Sequence, residues 1–288
     1  MHFILLSALC SVSVAVLLKL APRWRLDMPQ LVMWNYLAAG TLCWFLLSPP
    51  LDSLAQRGTP WWALTGLALV MPSLFLVLAA CVRVAGIVRT DVAQRLSLLL
   101  SLVAAFTLFG EQASTLKLLG LALGLAAIAG IVVRPDRGGP SPAGGGNALG
   151  LLLVVWAGFA LVDVMLKLIA QSGTASIASL QVVFVAAFLL MLGWQLVRHW
   201  RGLVEFNGRN LAGGLLLGVL NFGNILFYVW AHQALPDSPA VVFAAMNIGV
   251  VVLGTLVGVF AFGEKTGRWN RLAIVLAVVA IALIALAP

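Results

Sequence analysis

The chain has 288 residues, of which 62% are hydrophobic and 9% charged, with a formal net charge of +8. Soluble domains carry about 25% charged residues, so a single soluble core is excluded, and continuous rather than alternating apolar runs exclude a β-barrel. The positive balance is no nucleic-acid signal either, because the arginines sit at the ends of apolar runs without aromatic–basic motifs or zinc spacings.

A hydrocarbon layer is spanned by roughly 20 apolar helical residues. Ten such spans are predicted, at 2–21, 29–48, 60–83, 88–109, 114–134, 147–171, 174–199, 210–234, 238–262 and 267–287. The expected fold is therefore an all-α integral membrane protein. In the first span, SALC around Cys10 looks like a lipoprotein cleavage site, but Leu9 is bulky and no basic region precedes it. A membrane helix is expected there. Ser7, Ser11, Ala15 and Lys19 share a stripe of that helix, and Lys19 is placed to snorkel. Pro22, Pro29, Pro49, Pro50 and Pro60 punctuate the next spans, and Pro72 inside the third predicts a kink.

The fourth span opens with Thr90, Asp91, Gln94 and Arg95, with Ser101 farther in. Asp91 and Arg95 have i,i+4 spacing suited to an ion pair. Arg95 either snorkels to the surface or is a fixed cation for a substrate carboxylate or phosphate. RPDRGGPSPAGGGN at 134–147 cannot build a core and reads as a linker. It divides the chain into residues 1–134, a linker at 135–146, and residues 147–288.

Asp163 stands inside the apolar run 151–170, with Lys167 one turn on. A charge so placed is expensive and usually faces a protein interior or a watery cavity. The pair points to a polar path through the membrane, or else to an i,i+4 staple of its own helix. In the eighth span Gly214, Gly218, Asn221, Asn224, Tyr228 and His232 form one small-and-polar stripe, read as cavity lining. Asn247 in the ninth shares a stripe with Ala240, Ala244, Gly254 and Gly258, and pairs with span eight or with substrate. Trp24, Trp61, Trp62, Trp194, Trp200 and Trp269 mark span ends, whereas Trp156 and Trp230 lie within spans where they could face a cavity. Cys10, Cys43 and Cys81 form no CxxC pair, so neither disulfide nor metal site is expected.

The halves repeat. VLLKLA at 16–21 matches VMLKLI at 164–169, and FGE at 109–111 matches FGE at 262–264, offsets of 148 and 153 residues. Five spans per half is odd, so the halves enter the membrane in opposite directions, as two inverted five-helix repeats. Glu111 and Glu264 each precede a new helix, where an acid is favourable, so the Gly-Glu turn reads as structural.

Five-plus-five spans, a lysine closing spans one and six, and a Gly-Glu after spans four and nine resemble the drug/metabolite transporter superfamily, and more narrowly an EamA-type protein. That superfamily includes exporters of amino acids and other metabolites. The resemblance implies that spans one to four and six to nine surround a central cavity, with five and ten outside. Many members carry an arginine in span two, where MWNYLAAG here has Asn35, so substrate identity does not transfer.

The expected function is a secondary transporter for a small organic metabolite, amino-acid-like or amphipathic, in the inner cell membrane. Its expected partners are a small-molecule substrate and the lipid bilayer, with no nucleic acid, no cofactor and no metal. The chain is expected to act as a monomer or weak homodimer. No GxxxxGK[ST] motif is present, so energy would come from a gradient or from exchange. Asp163 is the best-placed acid within a span to carry a proton. Substrate-binding candidates are Ser11, Lys19, Arg95, Asp163, Lys167, Asn221, Asn224, Tyr228 and Asn247. The rivals are a membrane-embedded lipid-modifying enzyme and a lipid scramblase, but His2, His199 and His232 have no catalytic motif around them. Loops after odd-numbered spans carry 12 Lys/Arg and the other side carries 3. The positive-inside rule therefore predicts both termini outside the cytoplasm.

Overall fold

The computed structural model describes residues 2–56, 58–108, 114–133, 148–235 and 239–286. The expected linker at 135–146 lies outside them, as do Arg57, Glu111, Arg134 and Arg137. The described residues form helices and no strand. In chain order these are α1 (His2–Leu20), α2 (Met28–Leu47), α3 (Trp61–Ala85), α4 (Ile87–Arg95), α5 (Ser97–Leu108) and α6 (Thr115–Val133). The second half supplies α7 (Ala148–Gln171), α8 (Ser176–Trp200), α9 (Gly208–Ala234), α10 (Pro239–Phe262) and α11 (Arg268–Ala285). Among the described residues nine helices are long and apolar enough to cross a membrane, with α4 and α5 counted together. The chain is an all-α, multi-pass membrane protein.

Local chemistry sets the helix ends. Asp27 caps α2 by accepting from the Gln30 N–H at 3.0 Å, and Asn207 caps α9 by accepting from the Asn210 N–H at 2.8 Å. Helix α3 runs through Pro72 without ending. The fourth span departs from expectation. The apolar run gives a single span over 88–109, and in the structure it divides at Leu96 into α4 and α5. The indole Nε1 of Trp156 on α7 donates to the Leu96 carbonyl at 2.8 Å. A break at membrane depth is tolerated where protein groups satisfy the freed backbone.

Partnerships in one half are matched in the other. Helix α1 packs on α9 and α10, as α7 packs on α3 and on α4/α5; α2 packs on α8 and α9, and α8 packs on α2 and α3. Helices α6 and α11 lie chiefly against one another. Their approach is close: a Cβ on Gly120 would come within 2.6 Å of Ile284. Helices α2 and α9 approach backbone to backbone, since a Cβ on Gly218 would stand 2.6 Å from the Asn35 carbonyl oxygen.

Asp27 at the start of α2 pairs with Arg198 at the end of α8 and binds Asn210 at the start of α9. This end of the bundle is the odd-loop face. On the even-loop face the Ser53 hydroxyl, after α2, accepts from the Ala175 N–H before α8.

Candidate functional site: a two-chambered cavity

Two adjoining chambers lie inside the bundle. The outer one, about 500 Å³, is walled by α4, α5, α7, α9 and α10 and lies toward the even-loop ends of those helices. The inner one, about 150 Å³, is walled by α1, α2, α3, α4, α7 and α9. Gln94, Phe159, Asn224 and Ile225 line both and form the junction.

Arg95, the last residue of α4, points into the outer chamber. Its guanidinium donates to the Ser11 hydroxyl at 2.7 Å and to the Asn247 amide oxygen at 3.3 Å. It therefore joins α4 to α1 and α10 and does not snorkel. The expected i,i+4 pair with Asp91 does not form, because those two partners on other helices draw the guanidinium away from its own helix.

Asp163 is exposed although it sits mid-span, because it opens onto the outer chamber. It accepts from the Ser101 hydroxyl at 3.0 Å and from Ser97 at 3.5 Å. The expected ion pair with Lys167 is absent among the described residues; the serines of α5 hold the carboxylate instead. Lys167 also lines the outer chamber, with Tyr228 and Asn247. Asn247 turns its amide oxygen to Arg95 and its N–H to the Phe243 carbonyl at 2.9 Å, so its partner is span four rather than span eight.

The stripe on α9 serves two purposes. Gly214 and Gly218 press on α2, where a side chain would strike Trp34, Ala38 and backbone. Asn221, Asn224 and Tyr228 line the cavity. Asn224 also accepts from the Ser7 hydroxyl at 2.9 Å, tying α9 to α1. His232 bonds the Tyr228 carbonyl at 3.0 Å and lines neither chamber.

Lys19 lies apart. It pairs with Glu264 at the odd-loop face, with its ammonium 4.6 Å from the centre of the Phe262 ring. Glu264 also accepts from the Ile87 N–H at 2.7 Å and the Val88 N–H at 3.1 Å. It thus caps α4, in the other half of the chain, rather than its own following helix. Gly86 (φ +89°) makes room, since a Cβ there would come within 2.8 Å of the carboxylate. The result is a tie, here called the seal, that joins α1, α4 and the α10–α11 turn at the odd-loop end.

Eight of the nine sequence candidates thus line one cavity: Ser11, Arg95, Asp163, Lys167, Asn221, Asn224, Tyr228 and Asn247. Trp156 and Trp230 do not line it. Trp156 holds the helix break, and Trp230 stacks edge-on with Phe3 and Phe227. Missing from the candidates were Gln94, Tyr36 and Asp91's place in the inner chamber. The i,i+3 spacing of Asp91 and Gln94 marks them as one face, whereas nothing in the apolar run around Tyr36 distinguishes it.

Comparison with known proteins adds two findings. Residues 1–133 match the EamA-like transporter family. The chain is also 38% identical over 288 residues to a protein of Haemophilus influenzae described as an uncharacterized protein, covering 98% of this chain and 96% of the relative.

Proposed function

We propose, from the premise that the chain belongs to the EamA-like transporter family, that it moves a small zwitterionic, amino-acid-like metabolite by alternating access. One observation carries the reading: a fixed cation, Arg95, and a fixed anion, Asp163, face one chamber of about 500 Å³. A chamber of that size suits a small organic ligand. A substrate carboxylate would take the guanidinium, where planar two-point hydrogen bonding favours arginine over lysine. A substrate ammonium would take the Asp163 carboxylate, whose Oδ2 the Ser97 and Ser101 hydroxyls hold in place. Asn247 and Tyr228 would orient the remainder.

The seal supports alternating access. The Lys19–Glu264 pair and the α4 cap close the odd-loop end, while the outer chamber lies toward the even-loop end. Transport requires that seal to open as the other end closes. The basic odd loops put that face in the cytoplasm, with both termini outside. A C-terminal reporter that fluoresces only in cytoplasm should stay dark, and a fluorescent fusion overturns the orientation.

Substrate class is tested by thermal unfolding of the detergent-purified protein with a panel of amino acids, their decarboxylated amines and their N-acetyl acids. A true ligand stabilises the state it binds. Stabilisation should come from zwitterions, not from either half-charged analogue, and should vanish in Arg95→Gln. A panel in which the amines stabilise as well as the zwitterions would sink the zwitterion reading.

A further inference from the structure

The inner chamber contains a carboxylate that zwitterion binding leaves unused. Asp91 stands one turn into α4, is 4% exposed and lines that chamber. Its Oδ2 has no hydrogen-bond partner among the described residues. Across from it is Gly254 of α10, and a methyl group there would overlap that oxygen. Asp163 is the reverse case, open to the outer chamber and held by two serine hydroxyls. A buried polar atom without a partner has lost its water bonds and gained nothing in exchange.

The packed elements supply little to answer it. The charges acting on Asp91 include Arg95, on its own helix, and Glu264, and α4 also carries Arg89. Arg95 is directed to Ser11 and Asn247, and Glu264 is engaged by Lys19 and the start of α4. Helix α10 and α5 carry no titratable side chain, and α3 offers only Cys81, bonded by Thr90, and Arg83 in its last turn. Besides Lys19, α1 carries His2 and Cys10, and α7 carries Asp163 and Lys167. On the Gly254 side Oδ2 is closely packed, and its open approach is from the inner chamber.

We propose that Asp91 binds a proton in the inner chamber and is the ion-coupling site of transport, leaving Asp163 to hold substrate. The proton site stands on the geometry of α4 and α10; its role in coupling rests on the transporter reading above. Helix α4 is nine residues long, about 13 Å at the usual helical rise. Its first turn is held in the odd-loop seal, its middle holds Asp91, and its last residue is Arg95. A proton arriving on or leaving Asp91 changes how α4 meets α10 at Gly254. Seal and substrate cation are then carried by the same short helix, set off from α5 by the turn at Leu96, which the Leu96–Val92 and Leu99–Leu96 backbone bonds bridge.

The test begins without substrate. Infrared difference spectra of the purified protein between alkaline and acid buffers should show the carbonyl band of a buried protonated carboxyl. That band should be lost in Asp91→Asn and kept in Asp163→Asn. Its persistence in Asp91→Asn overturns the assignment, and a band that responds to sodium at fixed pH overturns the proton in favour of a metal cation. Should Asp91→Asn not fold, Gly254→Ala keeps the carboxyl and presses a methyl group on it, and should displace the band; an unmoved band overturns the site. In liposomes supplied with a labelled amino-acid mixture, an imposed pH gradient should stimulate wild-type uptake, and the stimulation should vanish in Asp91→Asn. No uptake by the wild type, with the infrared result intact, upholds the proton site and rejects the substrate class.

Discussion

Spans four and nine occupy corresponding places in the two halves, and each is followed in sequence by FGE. They are nevertheless built differently. Span four is broken at Leu96 and carries Asp91, Arg95, Ser97 and Ser101. Span nine is one unbroken helix of 24 residues, and it meets span four with small residues. Gly254 faces Asp91, and Gly258 faces Val88 and Glu264. The first half contributes charge on a short helix; the second contributes a continuous surface on which that helix rests. Matched packing in the two halves therefore does not impose matched chemistry. At the break the Leu96 carbonyl accepts both from the Leu99 N–H at 3.0 Å and from the Trp156 indole at 2.8 Å, so a side chain from elsewhere supports it.

The comparison breaks most completely at Arg95. Hydrogen bonds to a charged group are worth about 1.5–3 kcal/mol, or roughly 10–100-fold in affinity. Arg95→Gln should raise the substrate Kd by at least that factor. Arg95→Lys should recover only part, because one ammonium cannot reproduce the fork that reaches both Ser11 and Asn247. Asn247→Ala, on the span-nine side of the same bond, should cost less, since it removes a neutral partner and leaves Ser11 in place. Equal losses in the two variants, measured by ligand-induced thermal shift, would show that the charge is not concentrated in span four.

Much of this frame was legible from residues alone. Apolar run length places the spans, and helical spacing collects most of the cavity-lining side chains. The failures share a cause: the deciding partner is distant in sequence. Both expected i,i+4 pairs have the right spacing, yet Asp163 turns to Ser97 and Ser101, and Arg95 turns to Ser11 and Asn247. The break at Leu96 has no glycine or proline to announce it, because it is held by an indole 60 residues away. Gly214 and Gly218 look like the start of a polar stripe but are needed for the approach of α2. Lys19 finds its partner 245 residues on, and only a folded bundle brings them together.

A smaller effect is expected where the second half holds the first. Glu264→Gln removes the charge that answers Lys19 and weakens two bonds to the start of α4. The pair is partly exposed, so the expected loss is about 1–2 kcal/mol, below that of breaking a fully buried pair. Adding Lys19→Met should restore part of the stability by removing the uncompensated cation. The same change should loosen the odd-loop seal. In a protein lacking Cys10 and Cys43, maleimide should then label buried Cys81 faster than in the parent. Unchanged labelling together with lower stability would make Glu264 a cap for α4 and nothing more.

The smallest expected effect concerns the break itself. Trp156→Phe keeps most of the ring and removes one donor, leaving the Leu96 carbonyl without its indole partner. A neutral hydrogen bond contributes about 0.5–1.5 kcal/mol net, so the fall in stability should lie near 1 kcal/mol. Its consequence for transport should be more specific than its consequence for folding. Arg95 lies immediately before the break and Ser97 immediately after it, so a shifted break changes the relation between the substrate cation and the serines that hold Asp163. Trp156→Phe should therefore weaken zwitterion binding more than it lowers the unfolding temperature would suggest. Phe222→Leu, buried on α9 and lining neither chamber, is the control for loss of aromatic packing. If the two variants lose affinity in proportion to their loss of stability, the break is a packing feature, and the difference between spans four and nine has no role in recognition.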